Sequence, residues 1–119
     1  MSVAVALDEL ARRVDEHGPH AFLVTTGGDA RPHVVSVAVA FDGEAFTVPA
    51  GRTSSANLAE NPAATLLWPG VGGPYGLIVD GRGRVEADGV VLEPTRAVLH
   101  RLAGAPGDLP SCVRIEPDA

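Results

Sequence analysis

Apolar residues recur along this chain in two spacings. Over residues 2–17, Val3, Leu7, Leu10, Ala11 and Val14 fall three and four apart, and Glu9, Arg12, Arg13 and Glu16 lie between them. That spacing predicts an amphipathic helix, which Gly18-Pro19 stops. From His20 the pattern is strand-like. His20 to Thr26 holds Phe22, Leu23 and Val24, and Gly27-Gly28-Asp29-Ala30 supplies a hairpin turn. His33 to Phe41 alternates Val35, Val37 and Val39 on one face with Val34, Ser36, Ala38 and Ala40 on the other. Neither face is polar, so both are expected to be covered.

Asp42-Gly43 is a second hairpin turn, with Ala45 to Pro49 as the returning strand. A short helix is predicted from about Ser54 to Glu60, ending before Asn61-Pro62. Ala64 to Trp68 reads as a strand, Pro69 to Pro74 as a glycine-rich bend, and Tyr75 to Ala87 as a long strand bulged around Gly81 and Gly83. After a turn at Asp88-Gly89, Glu93 to Ala103 reads as a helix, with Pro94 near its start and Val98, Leu99 and Leu102 facing inward. Gly104 to Pro110 is loop, and Cys112 to Glu116 is a last short strand. The fold class expected is mainly β, a closed or split β-barrel of about six antiparallel strands with two or three short helices. No strand–helix alternation supports a parallel sheet. The valine-dense second face of residues 33–41 points to a homodimer.

Composition narrows the function. The 119 residues fit one domain, 1–119. A net charge of −6, with all nine basic residues arginine, argues against non-specific nucleic-acid binding. Cys112 is the only cysteine, which excludes an internal disulfide and any cysteine metal motif. No apolar run spans a bilayer and no secretory signal is visible, so the expected partners do not include a membrane and the default compartment is cytoplasmic.

The candidate chemistry concentrates in Gly51-Arg52-Thr53-Ser54-Ser55-Ala56-Asn57-Leu58. An arginine and three hydroxyls at a helix start suit a phosphate, because the free N–H groups and the dipole end there attract anions. Arg52 can bind a phosphate with two parallel hydrogen bonds, and Ser54 and Ser55 can add donors. The plainer alternative is a capped helix with Arg52 in water. Asn57 either braces the preceding loop or touches a ligand, and bracing is the better reading. His17, His20, His33 and His100 are too scattered for a metal site, and no metal is expected. His33 is the one best placed to line a pocket. No catalytic triad or carboxylate pair is assignable, so the catalytic residues are unknown.

The order of these pieces resembles one family. Phe22-Leu23-Val24-Thr25-Thr26 followed by Gly28-Asp29-Ala30-Arg31-Pro32-His33-Val34-Val35 looks like the opening hairpin of the pyridoxamine 5′-phosphate oxidase-like family. Asp42-Gly43, Phe46-Thr47-Val48-Pro49, Arg52 and Asn57-Leu58-Ala59-Glu60-Asn61-Pro62 resemble its next hairpin and crossover. Leu77 to Val85, with Gly81-Arg82-Gly83-Arg84-Val85, is similar to its long fifth strand. The resemblance covers about residues 5–116. It implies a split-barrel homodimer holding flavin mononucleotide (FMN), or alternatively an 8-hydroxy-5-deazaflavin coenzyme, at the subunit interface. The phosphate would meet Arg52, Ser54 and Ser55, and the ring would lie near Ser36, Val37 and Val48. Many relatives carry lysine where this chain has Ser54. The implied activity is hydride transfer between cofactor and a small-molecule substrate. A non-catalytic flavin or deazaflavin carrier and a cofactor-free dimeric binding module are the alternatives.

Overall fold

The computed structural model describes residues 3–70, 73–87 and 89–104. Eight antiparallel strands form one sheet: β1 (Val3–Ala4), β2 (His20–Thr26), β3 (Pro32–Ala38), β4 (Ala40–Phe41), β5 (Phe46–Val48), β6 (Ala63–Trp68), β7 (Tyr75–Glu86) and β8 (Gly89–Arg101). A 3₁₀ turn (Leu7–Glu9) leads into α1 (Leu10–His17), and α2 (Arg52–Glu60) crosses from β5 to β6. The strand order is β3-β2-β6-β7-β8-β5-β4, with β1 added to β8. Because β3 and β4 lie at opposite ends of that order yet are separated only by Val39, the sheet must curl. The result is the split barrel that the strand pattern predicts.

The hairpin turns read from the sequence fall where expected. The Asp42 carboxylate accepts hydrogen bonds from the N–H groups of Glu44 and Ala45, both at 2.8 Å. These contacts, Ala45 first and then Glu44, hold its carboxyl below the ordinary aspartate range. The bulge in β7 is also present, as a register shift between Asp80 and Gly81. Gly81 sits so close to the Glu93 carbonyl and the Leu92 side chain that a Cβ would collide with both.

Two expectations are corrected. Residues 93–103 are not a helix: 93–101 belong to β8, which pairs with β7 from Glu86↔Gly89 to Tyr75↔Arg101. The spacing of Val98, Leu99 and Leu102 suits either structure, and a long partner strand decides for the sheet. Pro94 is tolerated in the strand because it stands opposite Gly81, beside the bulge where the ladder is already broken. Residues 2–17 are not one helix either, since Val3 and Ala4 pair with Leu99 and Val98, and helix proper begins at Leu10. The Val34 face of β3 is open in the single chain, Val34 being 54% exposed. The turn at Asp88 and the final strand predicted at Cys112–Glu116 lie outside the described residues.

The barrel interior is filled from alternate positions of each strand, among them Leu23, Phe46, Leu66, Trp68, Leu77, Val79, Val90 and Leu92, all fully buried. Phe46 stacks on Phe41 with ring centroids 4.3 Å apart and tilts against Trp68 at 5.7 Å. Leu10 and Val14 anchor α1 to this core. Leu58 anchors α2 against Gly83, where a Cβ would come within 3.0 Å of the leucine side chain. No helix among the described residues is long and apolar enough to cross a membrane.

Candidate functional site

The curl leaves a gap between the free edge of β3 and the segment leaving β5, and α2 starts in that gap. A cavity of about 440 Å³ lies there. Its walls are His33, Val35, Ser36 and Val37 from β3, Pro49, Ala50 and Gly51 from the connecting segment, and Arg52, Thr53 and Ser54 from α2. One side is therefore apolar, and the other carries hydroxyls and a guanidinium.

The helix start is chemically open. Gly51, the N-cap residue, has extended backbone and no side chain to cap with. The first helical bond is that of the Ser55 N–H to the Gly51 carbonyl, at 3.0 Å. The N–H groups of residues 52–54 precede it and form the positive end of the helix dipole. Ser54 is only 1% exposed and lines the cavity, yet its hydroxyl makes no hydrogen bond to any described residue. A hydroxyl placed this way can donate to or accept from a ligand in the cavity. Arg52 is exposed and forms no ion pair among the described residues.

A larger cleft of about 680 Å³ lies across the barrel, between Leu7, Leu10, the β4–β5 hairpin and β8. Its cation, Arg84, is held by Glu86 and Glu93, each at 2.7 Å, which raise its pKa further. That cleft offers an anion nothing. No carboxylate lines the gap beside α2, in contrast to the rim of the larger cleft.

The cavity brings together four of the seven residues expected to bind a cofactor: Ser36, Val37, Arg52 and Ser54. The other three stand behind it. Val48 ends β5 beside the lining Pro49, but its side chain is fully buried in the core opposite Val90. Ser55 is half-buried on α2 and is not part of the lining. Asn57 donates through Nδ2 to the Thr25 Oγ1 at 3.1 Å, and its amide oxygen lies where a Cβ on Gly27 would be, 2.8 Å away. It therefore braces α2 against the β2–β3 hairpin. Thr25, which accepts this bond, carries no sequence signal beyond its place on the inward row of β2. Among the described residues no group of side chains could hold a metal ion.

Asn57→Ala is expected to lower stability by about 1–3 kcal/mol, because the buried Thr25 hydroxyl loses its donor. Urea unfolding of Asn57→Ala, Thr25→Val and the double variant checks this: the double variant should cost clearly less than the two single losses added together.

Two comparisons bear on the fold and family. The family model described as "Pyridoxamine 5′-phosphate oxidase" matches residues 7–111. Solved structures with the same fold include an F420 reductase, at 21% identity and TM-score 0.58, covering 69% of this chain and 91% of that one. HupZ of Group A Streptococcus aligns at 13% identity and TM-score 0.65, covering 82% and 98%. A Clostridium acetobutylicum protein related to general stress protein 26, of the pyridoxinephosphate oxidase family, aligns at 14% and 0.64, covering 80% and 87%. No curated protein matches the sequence.

Proposed function

The chain belongs to the pyridoxamine 5′-phosphate oxidase family, and from that premise we propose that it is an oxidoreductase holding a flavin-type cofactor in the cavity between β3 and α2. One observation carries the reading: an uncapped helix start, an arginine with no ion pair among the described residues and a serine hydroxyl with no hydrogen bond among them converge on one cavity with an apolar wall. Arg52, Ser54 and the N–H groups of residues 52–54 would hold the phosphate. Val35, Val37, Pro49 and Ala50 provide the apolar surface that a ring system needs. Ser36 lies between Val35 and Val37 on the same strand and also lines the cavity, while Val48, Ser55 and Asn57 support it from behind. When bound, the cofactor would accept or donate a hydride, and the protein's part is to hold, orient and shield it.

FMN is the first candidate. The alternative, the 8-hydroxy-5-deazaflavin coenzyme, is favoured by the likeness to an F420 reductase. Fluorescence and calorimetric titration with each, on the purified protein, tests the reading. Saturable, near-stoichiometric binding of one names the cofactor, and turnover with a reducible small molecule then separates an enzyme from a carrier. Binding of neither removes the reading and leaves a cofactor-free module.

We further propose that the working unit is a homodimer joined over the outer face of β2 and β3. Val34 and Phe22 are exposed there, at 54% and 37%, and Val34 pairs across the strands with Val24. Val34→Asp is expected to shift the protein from dimer to monomer in sedimentation equilibrium, since one charge in an apolar contact costs several kcal/mol across a symmetric pair. An unchanged mass would rule out this face.

A further inference from the structure

We propose that His33 is the second cation of the anion site, and that its protonation sets how tightly the site grips. The proposal rests on the reading that this cavity takes an anionic ligand, and it adds how that grip is regulated.

His33 is half-buried, lines the cavity with Arg52 and Ser54, and makes no hydrogen bond to any described residue. Both of its ring nitrogens are therefore available. His17 shows the contrast: its Nδ1 lies 2.8 Å from the Arg13 carbonyl oxygen and its Nε2 lies 3.3 Å from that of Tyr75. The ring of His33 is also placed by rigid elements. Its cross-strand neighbour is Thr25, and Thr25 takes the hydrogen bond from Asn57 of α2. Helix and histidine are thus tied to the same row of the sheet.

Charge explains why a second cation is useful. Arg52 and the helix end together supply about one and a half positive charges, short of the two negative charges on a phosphate monoester. A protonated imidazole covers the shortfall. The groups around His33 leave that role to it. β2 presents the uncharged Thr25. α2 presents Arg52 at its start and Glu60 at its far end, against Gly28. The hairpin of His33 itself carries Arg31 and Asp29, whose carboxylate accepts the Arg31 N–H at 3.0 Å. Neither carboxylate lines the cavity, so the counter-ion of a protonated His33 is the ligand. Protonation gives an imidazole a positive charge and two donors, so an anion in the cavity binds the protonated ring more tightly, and pH 5 to 8 is the range in which to test it.

Sulfate is the probe, because it remains a dianion across that range. Calorimetry on the unaltered protein should give sulfate an affinity about tenfold higher near pH 5.5 than near pH 8. Sulfate should also move the ring resonances of His33 and leave those of His17 and His20 in place, a readout that needs no variant. His33→Gln should bind sulfate with the weaker affinity at both pH values, although His17, His20 and His100 remain. A pH dependence that survives in His33→Gln overturns the proposal, as does a failure of sulfate to saturate the unaltered protein. The flavin reading fails separately: sulfate binding as expected, with no flavin bound, leaves the anion site standing without its cofactor. Flavin binding together with sulfate binding indifferent to His33 does the reverse.

Discussion

Replacing Trp68 by alanine is expected to destabilise the protein by about 3–5 kcal/mol, a large part of the 5–15 kcal/mol typical of a whole domain. Trp68 is fully buried at the end of β6 and packs against Phe46, itself stacked on Phe41. Its removal opens a cavity beside the Phe46 ring that the curled sheet cannot close, because β6 and β5, which carry Trp68 and Phe46, are each paired on both sides. The indole also donates to the Gly18 carbonyl at 2.9 Å, tying the core to the end of α1. Trp68→Phe separates the two contributions. It keeps most of the ring but leaves the Gly18 oxygen without its donor, and the expected loss falls to about 1–2 kcal/mol. Urea unfolding followed by circular dichroism checks both, since the variants lack the chain's one tryptophan and its fluorescence. A loss under about 1 kcal/mol for Trp68→Ala would show that the interior relaxes around the hole.

Local chemistry made much of this fold readable. Asp42-Gly43 and the glycine pair at 27–28 mark turns whatever surrounds them, and the alternation along β3 sorts its residues into two faces. The stretch Glu93–Ala103 reads as helix because Val98, Leu99 and Leu102 fall at helical spacing, and only the pairing of residues up to Arg101 with β7 decides for the strand. The site divides along the same line. Arg52 and Ser54 are close in sequence and start a helix, so their placement together is legible in the sequence. That Ser54 is buried beside the cavity is not, because it depends on the packing of α2 through Leu58 onto Gly83. The role of Thr25, which fixes α2 through Asn57 from 32 positions away, likewise exists only in the folded chain. Val48 shows the opposite error. Its neighbour Pro49 reaches the cavity, but strand alternation turns the valine into the core.

Arg52→Ala is expected to weaken FMN binding by about ten- to a hundredfold, the worth of a hydrogen-bonded charge on a phosphate, and to leave riboflavin binding unchanged. Riboflavin has the same ring and no phosphate, so the difference between the two ligands isolates the contact. Arg52→Lys should recover only part of the loss, because an ammonium keeps the charge but not the paired donors. Stability gives a second criterion. Arg52 is exposed and makes no ion pair among the described residues, so its removal should leave the urea midpoint in place. Ser54→Ala should behave more tellingly still. A hydroxyl that hydrogen-bonds within the fold costs stability when it is removed, whereas one that makes no such bond does not. Ser54→Ala is therefore expected to keep or raise the unfolding midpoint of the ligand-free protein while lowering FMN affinity. Equal losses for FMN and riboflavin in Arg52→Ala, or a destabilised Ser54→Ala with unchanged affinity, would return both residues to ordinary surface and capping roles.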